Sequence, residues 1–331
     1  MGAADEAPRN RSLPEPVTAV TDTAGDWLPA RMAEVEAGLL AAVEGETGLA
    51  GDAVRTLNAG GKRMRPMLVL LCAGPEAGPA AVRSGIAVEL IHMASLVHDD
   101  VLDRAPLRRG LPTVYASSGR ERATALGDRL FSTAFKVLVD GGDSAAVSEV
   151  SATAVDRARG ELRQREGAFD MELTETDYFD RCTLKTGRLF EAACVLGRGS
   201  TGGDPGPVGL FGHRIGLAFQ LLDDVLDIAG PPERTGKARG TDLLDGTVTL
   251  PLIFAARFDP ALAALDLRTL NEESAAVACD RIAATGALEE VRSRAIELIE
   301  EAKAGLIEAG LEQQQRQLLE LIADGVVQRY S

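Results

Sequence analysis

Tryptophan occurs once, at Trp27, and Phe, Tyr and Trp together make up 4% of the 331 residues. So few rings cannot form the stacking platform on which a single-stranded nucleic acid lies. Positive charge is also short, with 35 Lys and Arg against 50 Asp and Glu and a formal charge of -15. A protein that binds duplexes needs clustered basic surface to displace counterions, so nucleic-acid binding is excluded as a function class. Any phosphate this chain handles has to be held in a pocket. The four cysteines, Cys72, Cys182, Cys194 and Cys279, show no paired spacing. That argues against a zinc cage and a disulfide framework, and it fits a reducing, cytoplasmic setting. No run of about 18 uninterrupted apolar residues is present, so no integral membrane segment is expected. Residues 1–26 lack the apolar core of a signal peptide and read as a disordered leader before one large domain, 27–331.

Strand signals are nearly missing as well. Alternating Val/Ile/Thr runs closed by Asn-Gly or Asp-Gly turns are not found, whereas apolar residues recur at three- and four-residue spacing. The expected fold is all-α, a single large helical bundle with a central cavity. The stretches 27–44, 288–306 and 313–327 are amphipathic and belong on the outside of such a bundle. Two others, 86–97 and 215–226, are apolar nearly all round and belong in its centre. Gly/Pro clusters at 74–79, 141–143, 199–209 and 230–232 read as turns or loops between helices.

Both central helices end in the same pentad, Asp99-Asp100-Val101-Leu102-Asp103 and Asp223-Asp224-Val225-Leu226-Asp227. On a helix the first and last acids of each pentad share a face, where like charges repel and a cation relieves the cost. One acidic triplet alone could be a solvated helix end. Two copies, each preceded by apolar turns, place carboxylates at the mouth of the core. All-oxygen donors without a His or Cys pair favour Mg²⁺, which is held by a few carboxylates, waters and substrate phosphate oxygens. Cations suited to phosphate stand nearby: Lys62, Arg63 and Arg65 after a glycine turn, then Arg104, Arg108, Arg109, Lys185 and Lys237. Arginine offers a planar fork to phosphate and lysine a compact charge.

These residues resemble the all-trans polyprenyl diphosphate synthases of the isoprenyl diphosphate synthase family, over roughly residues 57–329. The match rests on Gly-Gly-Lys-Arg-Met-Arg-Pro at 60–66, the run ending in the first pentad at 90–103, and Leu-Arg-Arg-Gly-Leu-Pro-Thr at 107–113. Lys-Thr-Gly at 185–187, Ala-Phe-Gln-Leu-Leu before the second pentad at 218–222, Gly236-Lys237, 240–243 and Thr-Leu-Pro at 249–251 complete it. The resemblance implies a Mg²⁺-dependent prenyltransferase that joins an allylic prenyl diphosphate head-to-tail to isopentenyl diphosphate. It implies that Lys62, Arg65, His92 and Arg109 bind isopentenyl diphosphate. Arg108, Lys185, Thr186, Gln220 and Lys237 would hold the allylic diphosphate, bridged by several Mg²⁺ ions to Asp99, Asp103 and Asp223. Asp100, Asp224 and Asp227 would complete the metal shell directly or through water. Asp99, Asp103, Asp223, Lys185 and Arg108 would carry the chemistry, ionisation of the allylic carbon–oxygen bond. The resemblance also suggests a homodimer.

The product tail should run back down the first helix past Ser95, Ala94 and Ile91. Short-chain relatives place an aromatic four or five positions before the first acid; here Ser95 and Ala94 leave the floor open. A product longer than geranylgeranyl, of the quinone side-chain type, is therefore expected in preference to a geranylgeranyl or shorter one. A class I terpene cyclase would also be a helical bundle with an acidic claw, but the second intact pentad speaks against it. An inactive regulatory subunit would be expected to have lost carboxylates from one pentad, and both are complete. His98 abuts the first pentad and could support it, while His213 has no such context. Thr247 stands where many relatives carry a lysine.

Overall fold

The computed structural model describes residues 15–44, 48–230 and 239–328. The described residues are helical apart from loops and one two-residue hairpin, as the hydrophobic spacing requires. The N-terminal half runs α1 (Glu15–Ala24), α2 (Trp27–Val43), α3 (Ala50–Asn58), α4 (Met64–Ala73) and α5 (Pro79–Leu102). A hairpin follows, β1 (Leu107–Arg108) against β2 (Leu111–Pro112), antiparallel with Arg108 opposite Leu111. Then come α6 (Val114–Ser118), α7 (Arg120–Asp140), α8 (Ser144–Glu166), α9 (Glu175–Cys182), a π-helical turn (Thr183–Gly187) and α10 (Arg188–Gly199). The second central helix is α11 (Gly206–Ala229), followed by α12 (Thr241–Leu244), α13 (Leu250–Ala256), α14 (Pro260–Ala263), α15 (Glu272–Ala284), α16 (Ala287–Gly305) and α17 (Gln313–Gln328).

The two helices that are apolar all round are central. α5 packs against α7, α4, α2 and α10, while α11 packs against α10 and α16. Among the described residues α5 is the one helix long and apolar enough to cross a bilayer, and 78% of that stretch is buried inside the bundle. Its length and hydropathy are thus those of a core helix.

Two expectations are corrected. The part of the leader that is described is not disordered: residues 15–24 form α1, whose Val20 and Ala24 are buried, and α1 packs on α17. An amphipathic turn with a docking partner is enough to order a polar segment. The second concerns 199–209, where the loop stops at Pro205 and α11 starts at Gly206. Gly209, Gly212 and Gly216 of α11 serve close packing rather than turning. A Cβ on Gly212 would lie 2.6 Å from the Phe190 carbonyl oxygen, and one on Gly216 would lie 3.0 Å from the Gly187 Cα. The bare face of α11 therefore lets α10 and the π turn approach backbone to backbone. From the other side, a Cβ on Gly160 of α8 would meet the Lys185 nitrogen at 2.6 Å. The π turn, wedged between α8 and α11, carries Lys185 and Thr186. A π insertion of this kind re-aims side chains within an otherwise regular helix.

Candidate active site

The first pentad closes α5. Asp99 is partly buried, and burial raises its pKa while Lys185, Arg157 and Arg108 draw it back down. Asp103, one turn on, accepts from Arg165 Nη2 at 2.6 Å. Asp100 points the other way, is buried, and accepts from Arg108 Nε of the hairpin at 2.8 Å. Burial lifts its pKa too, and Arg108 is the main counterweight.

The second pentad closes α11 in different company. Asp224 is 3% exposed, and its two oxygens accept from neutral donors, Tyr178 Oη at 2.6 Å and Gln220 Nε2 at 2.8 Å. Burial pushes the Asp224 carboxyl strongly up, with Asp242 adding to the effect. Burial and that carboxylate also hold the Tyr178 hydroxyl far above its ordinary range, so it remains a donor. Asp227 receives the backbone N–H groups of Thr241 and Asp242, both at 3.2 Å. Asp223 is partly buried, and its charge acts on Arg65.

The basic run after the glycine turn divides its work. Arg63 has a left-handed backbone, φ 47°, and clasps Glu36 at 2.7 Å, Glu89 at 2.9 Å and the Leu57 carbonyl at 3.1 Å. It ties α2, α3 and α5 to the start of α4, and its carboxylates outweigh burial in raising its pKa. Arg65 instead lies over the Phe190 ring, 4.4 Å from the centroid, and its Nε is buried without a partner. Burial lowers its pKa to about 10, so it is charged at neutral pH. His92 is held well below its ordinary value, first by burial and then by Arg65, Arg157, Arg109 and Arg108. It is a neutral imidazole among arginines, with Nδ1 buried and unpartnered.

Two clefts result. His92, Arg108 and Arg109 line one with Asp100, Glu89 and Gly60. Lys185, Thr186 and Gln220 line the other, a polar cavity of about 120 Å³, with Asp224, Asp242, Thr247 and Gln164. Lys185 Nζ is steered by Glu161 Oε2 at 2.6 Å and Gln164 Oε1 at 3.1 Å. Lys185 stands near both pentads: its charge acts on Asp99 of one, and it shares a cavity with Asp224 of the other.

Residues 49–282 match the sequence model of the polyprenyl synthetase family. The chain belongs to the polyprenyl synthetase family. It is 41% identical over 256 residues to heptaprenyl diphosphate synthase component 2 of Geobacillus stearothermophilus, covering 74% of this chain and 80% of that one. It is 37% identical over 262 residues to octaprenyl diphosphate synthase of Escherichia coli, with 76% and 80% covered. Its fold matches the crystal structure of polyprenyl synthase from Caulobacter crescentus, solved with calcium and isoprenyl diphosphate, at a TM-score of 0.88 and 32% identity, covering 95% and 98%. The chain is therefore a prenyltransferase with the all-α isoprenoid synthase fold.

Of the expected residues, His92, Arg108, Arg109 and Asp100 come together in one cleft and Lys185, Thr186, Gln220 and Asp224 in the other. Arg108, expected beside the allylic diphosphate, lines the His92–Arg109 cleft and pairs with Asp100. Asp100, Asp224 and Asp227 are occupied by protein donors, so in this arrangement they brace Arg108, Tyr178, Gln220 and α12. Lys237 lies outside the described residues. Among the described residues no three His, Cys, Asp or Glu groups converge on one point. Asp99, Asp103 and Asp223 still offer the oxygen donors that Mg²⁺ prefers, and such a shell is completed by waters and substrate phosphates. The residues present therefore fit the metal. Ile91, Ala94 and Ser95 are buried, and the Ser95 hydroxyl donates to the His92 carbonyl at 2.8 Å, which leaves an apolar wall. His98 is a packing residue that stacks on Phe131 at 5.7 Å and reaches Asp128 on α7.

Sequence reasoning missed Arg157, Glu161, Gln164 and Tyr178. The first three lie on one face of α8 at i, i+4 and i+7, a polar stripe hidden in a helix that is polar elsewhere too. Arg157 Nη1 donates to the Lys185 carbonyl and its Nε is buried and unpartnered. Tyr178 carried no signal beyond being one of three tyrosines.

Proposed function

We propose that this prenyltransferase condenses an allylic prenyl diphosphate with isopentenyl diphosphate, head-to-tail and with Mg²⁺, to a product longer than geranylgeranyl of the quinone side-chain type. The observation that supports this is the place of Lys185, whose charge acts on Asp99 of the first pentad and which lines a cavity with Asp224 of the second, so a diphosphate held by it would stand between the acidic helix ends. Asp99, Asp103 and Asp223 would hold the metal, which when bound neutralises charge on the departing diphosphate. Lys185, Thr186 and Gln220 orient the allylic diphosphate, with Lys237 as a further contact. Lys62, Arg65, His92 and Arg109 bind isopentenyl diphosphate, His92 as a neutral hydrogen-bonding group. The apolar wall of Ile91, Ala94 and Ser95 accommodates the tail and keeps water from the allylic cation. Val139, Val155 and Leu162 are exposed on α7 and α8, which supports a homodimer through these helices. Four unpaired, buried cysteines support a cytoplasmic setting.

A second reading has one observation behind it: the Geobacillus relative is named component 2, so this chain would work with another subunit. One experiment separates the two. The purified chain is incubated with Mg²⁺, labelled isopentenyl diphosphate, and geranyl, farnesyl or geranylgeranyl diphosphate in turn, and the products are sized. Elongation beyond twenty carbons by the chain alone is expected, lost on chelation and shortened by Ala94→Phe. No elongation with any primer overturns the stand-alone reading, and a product unchanged by Ala94→Phe overturns the open floor.

A further inference from the structure

We propose that Tyr178 is a positioning residue of this site, holding Asp224 and, through it, fixing how the Gln220 amide, locked from its other side by Thr186, presents its remaining N–H to the allylic diphosphate. The four side chains form one chain of hydrogen bonds across three elements, α9, α11 and the π turn. Tyr178 donates to Asp224 Oδ2 at 2.6 Å, Gln220 Nε2 donates to Oδ1 at 2.8 Å, and Thr186 Oγ1 donates to Gln220 Oε1 at 2.8 Å. The direction of each bond is set by chemistry. Gln220 turns its NH₂ toward Asp224 and its carbonyl toward Thr186, and because an amide oxygen only accepts, the Thr186 hydroxyl is the donor in that bond. The Thr186 proton is thereby spent on locking the amide, and the second N–H of Gln220, which lines the cavity, is left to donate to a diphosphate oxygen.

Tyr178 is where this order begins. Its ring is fully buried, set edge-on to Phe179 at 5.5 Å and covered by the Arg181 guanidinium 5.3 Å from its centroid. So fixed a ring delivers its hydroxyl to a single place. Asp224 is equally enclosed, and a buried carboxyl group that loses one of its two donors turns toward another. That turn releases the Gln220 amide from its fixed orientation. The first pentad contains no such relay, because Asp100 is held by an arginine that itself lines a substrate cleft.

The inference rests on the activity proposed above. Its test is a double-mutant cycle between Tyr178→Phe and Asp224→Asn, with kcat and KM measured for each substrate. Tyr178→Phe should lower kcat/KM for the allylic diphosphate by on the order of tenfold to a hundredfold and leave KM for isopentenyl diphosphate unmoved. The double variant should be no worse than Asp224→Asn alone. A second readout needs no turnover: stabilisation against heat by inorganic diphosphate with Mg²⁺ should shrink in Tyr178→Phe. Should that variant be too unstable to assay, Gln220→Met cuts the same chain at a half-buried position and replaces it, with the same expected losses. Full allylic kcat/KM, full additivity in the cycle, or undiminished stabilisation by diphosphate overturns the inference. A wild-type chain that elongates no primer overturns the activity instead, and the heat-stability arm still decides the role of Tyr178.

Discussion

The two acidic pentads are identical in sequence and opposite in surroundings. At the end of α5, Asp100 and Asp103 are paired with guanidinium groups, Arg108 and Arg165, and Asp103 is exposed. At the end of α11, the described donors to Asp224 are a phenol and an amide, and Asp227 receives two backbone N–H groups. A motif therefore specifies where carboxylates stand on a helix but not how they are balanced. The balance comes from what packs against each helix end, a basic hairpin and α8 in one case, α9 and α12 in the other. The first pentad is a screened, charge-paired rim. The second is built around a desolvated carboxylate, where each hydrogen bond matters more because water cannot replace it.

Substituting the acids one at a time is the strongest way to break this comparison. Asp99→Ala and Asp223→Ala should each lower elongation by on the order of a thousandfold, the loss expected when charge stabilisation at a departing group is removed. Asp100→Asn and Asp224→Asn should cost only about tenfold to a hundredfold, since each braces a neighbour. Their losses should also fall on different substrates. Asp100→Asn frees Arg108 and should raise KM for isopentenyl diphosphate, whereas Asp224→Asn should act on the allylic diphosphate. Steady-state kinetics with each substrate varied decides this. Equal losses at all four positions would show that the pentads act alike as metal cages.

A smaller effect concerns the arginines around the first cleft. They and burial keep His92 neutral, with its folded pKa below the unfolded value of about 6.5. The unfolded chain takes up a proton below that pH while the folded chain does not, so stability is lost as pH falls below about 6.5. His92→Gln should keep a neutral hydrogen-bonding group and flatten stability against pH in that window, read by urea denaturation at pH 5 and pH 7. An unchanged pH slope would mean that His92 ionises in the folded protein and that the cleft is less crowded with positive charge than the geometry requires.

Much of this was legible before the structure, and the limits have physical reasons. The central helices could be read because a helix apolar on every side has nowhere else to go, and the pentads because their acids share a helical face. The different fates of Arg63 and Arg65 could not be read, since two residues apart in sequence they differ only in what α2, α5 and α10 bring to them. The π turn leaves no periodicity of its own; it arises because Gly160 and Gly216 let two helices press on one segment. Gly206 and Gly209 look like loop signals in isolation, yet both lie in α11, where Gly209 lets Val195 approach as Gly212 and Gly216 admit α10 and the π turn. Tyr178 was invisible because a lone phenol acquires meaning only from a carboxylate 46 residues away in sequence.

The smallest predicted effect probes how dry the second pentad is. Cys182 is buried beside Tyr178 and Asp224, and its thiol is pushed up to about 12, by burial first and by the Asp224 charge second, with Arg181 opposing. The reactive species toward an alkylating agent is the thiolate, and an ordinary cysteine has a pKa of about 8.5. At pH 8, Cys182 in the folded chain should therefore react on the order of a thousandfold more slowly than a free cysteine, before restricted access slows it further. Mass spectrometry of the iodoacetamide-treated native protein measures this, with the urea-unfolded chain as reference. Reaction at the free-cysteine rate would mean that water and reagent reach the Tyr178–Asp224 contact. The second pentad would then be as solvated as the first, and the difference between two identical sequences would reduce to which donors happen to stand nearest.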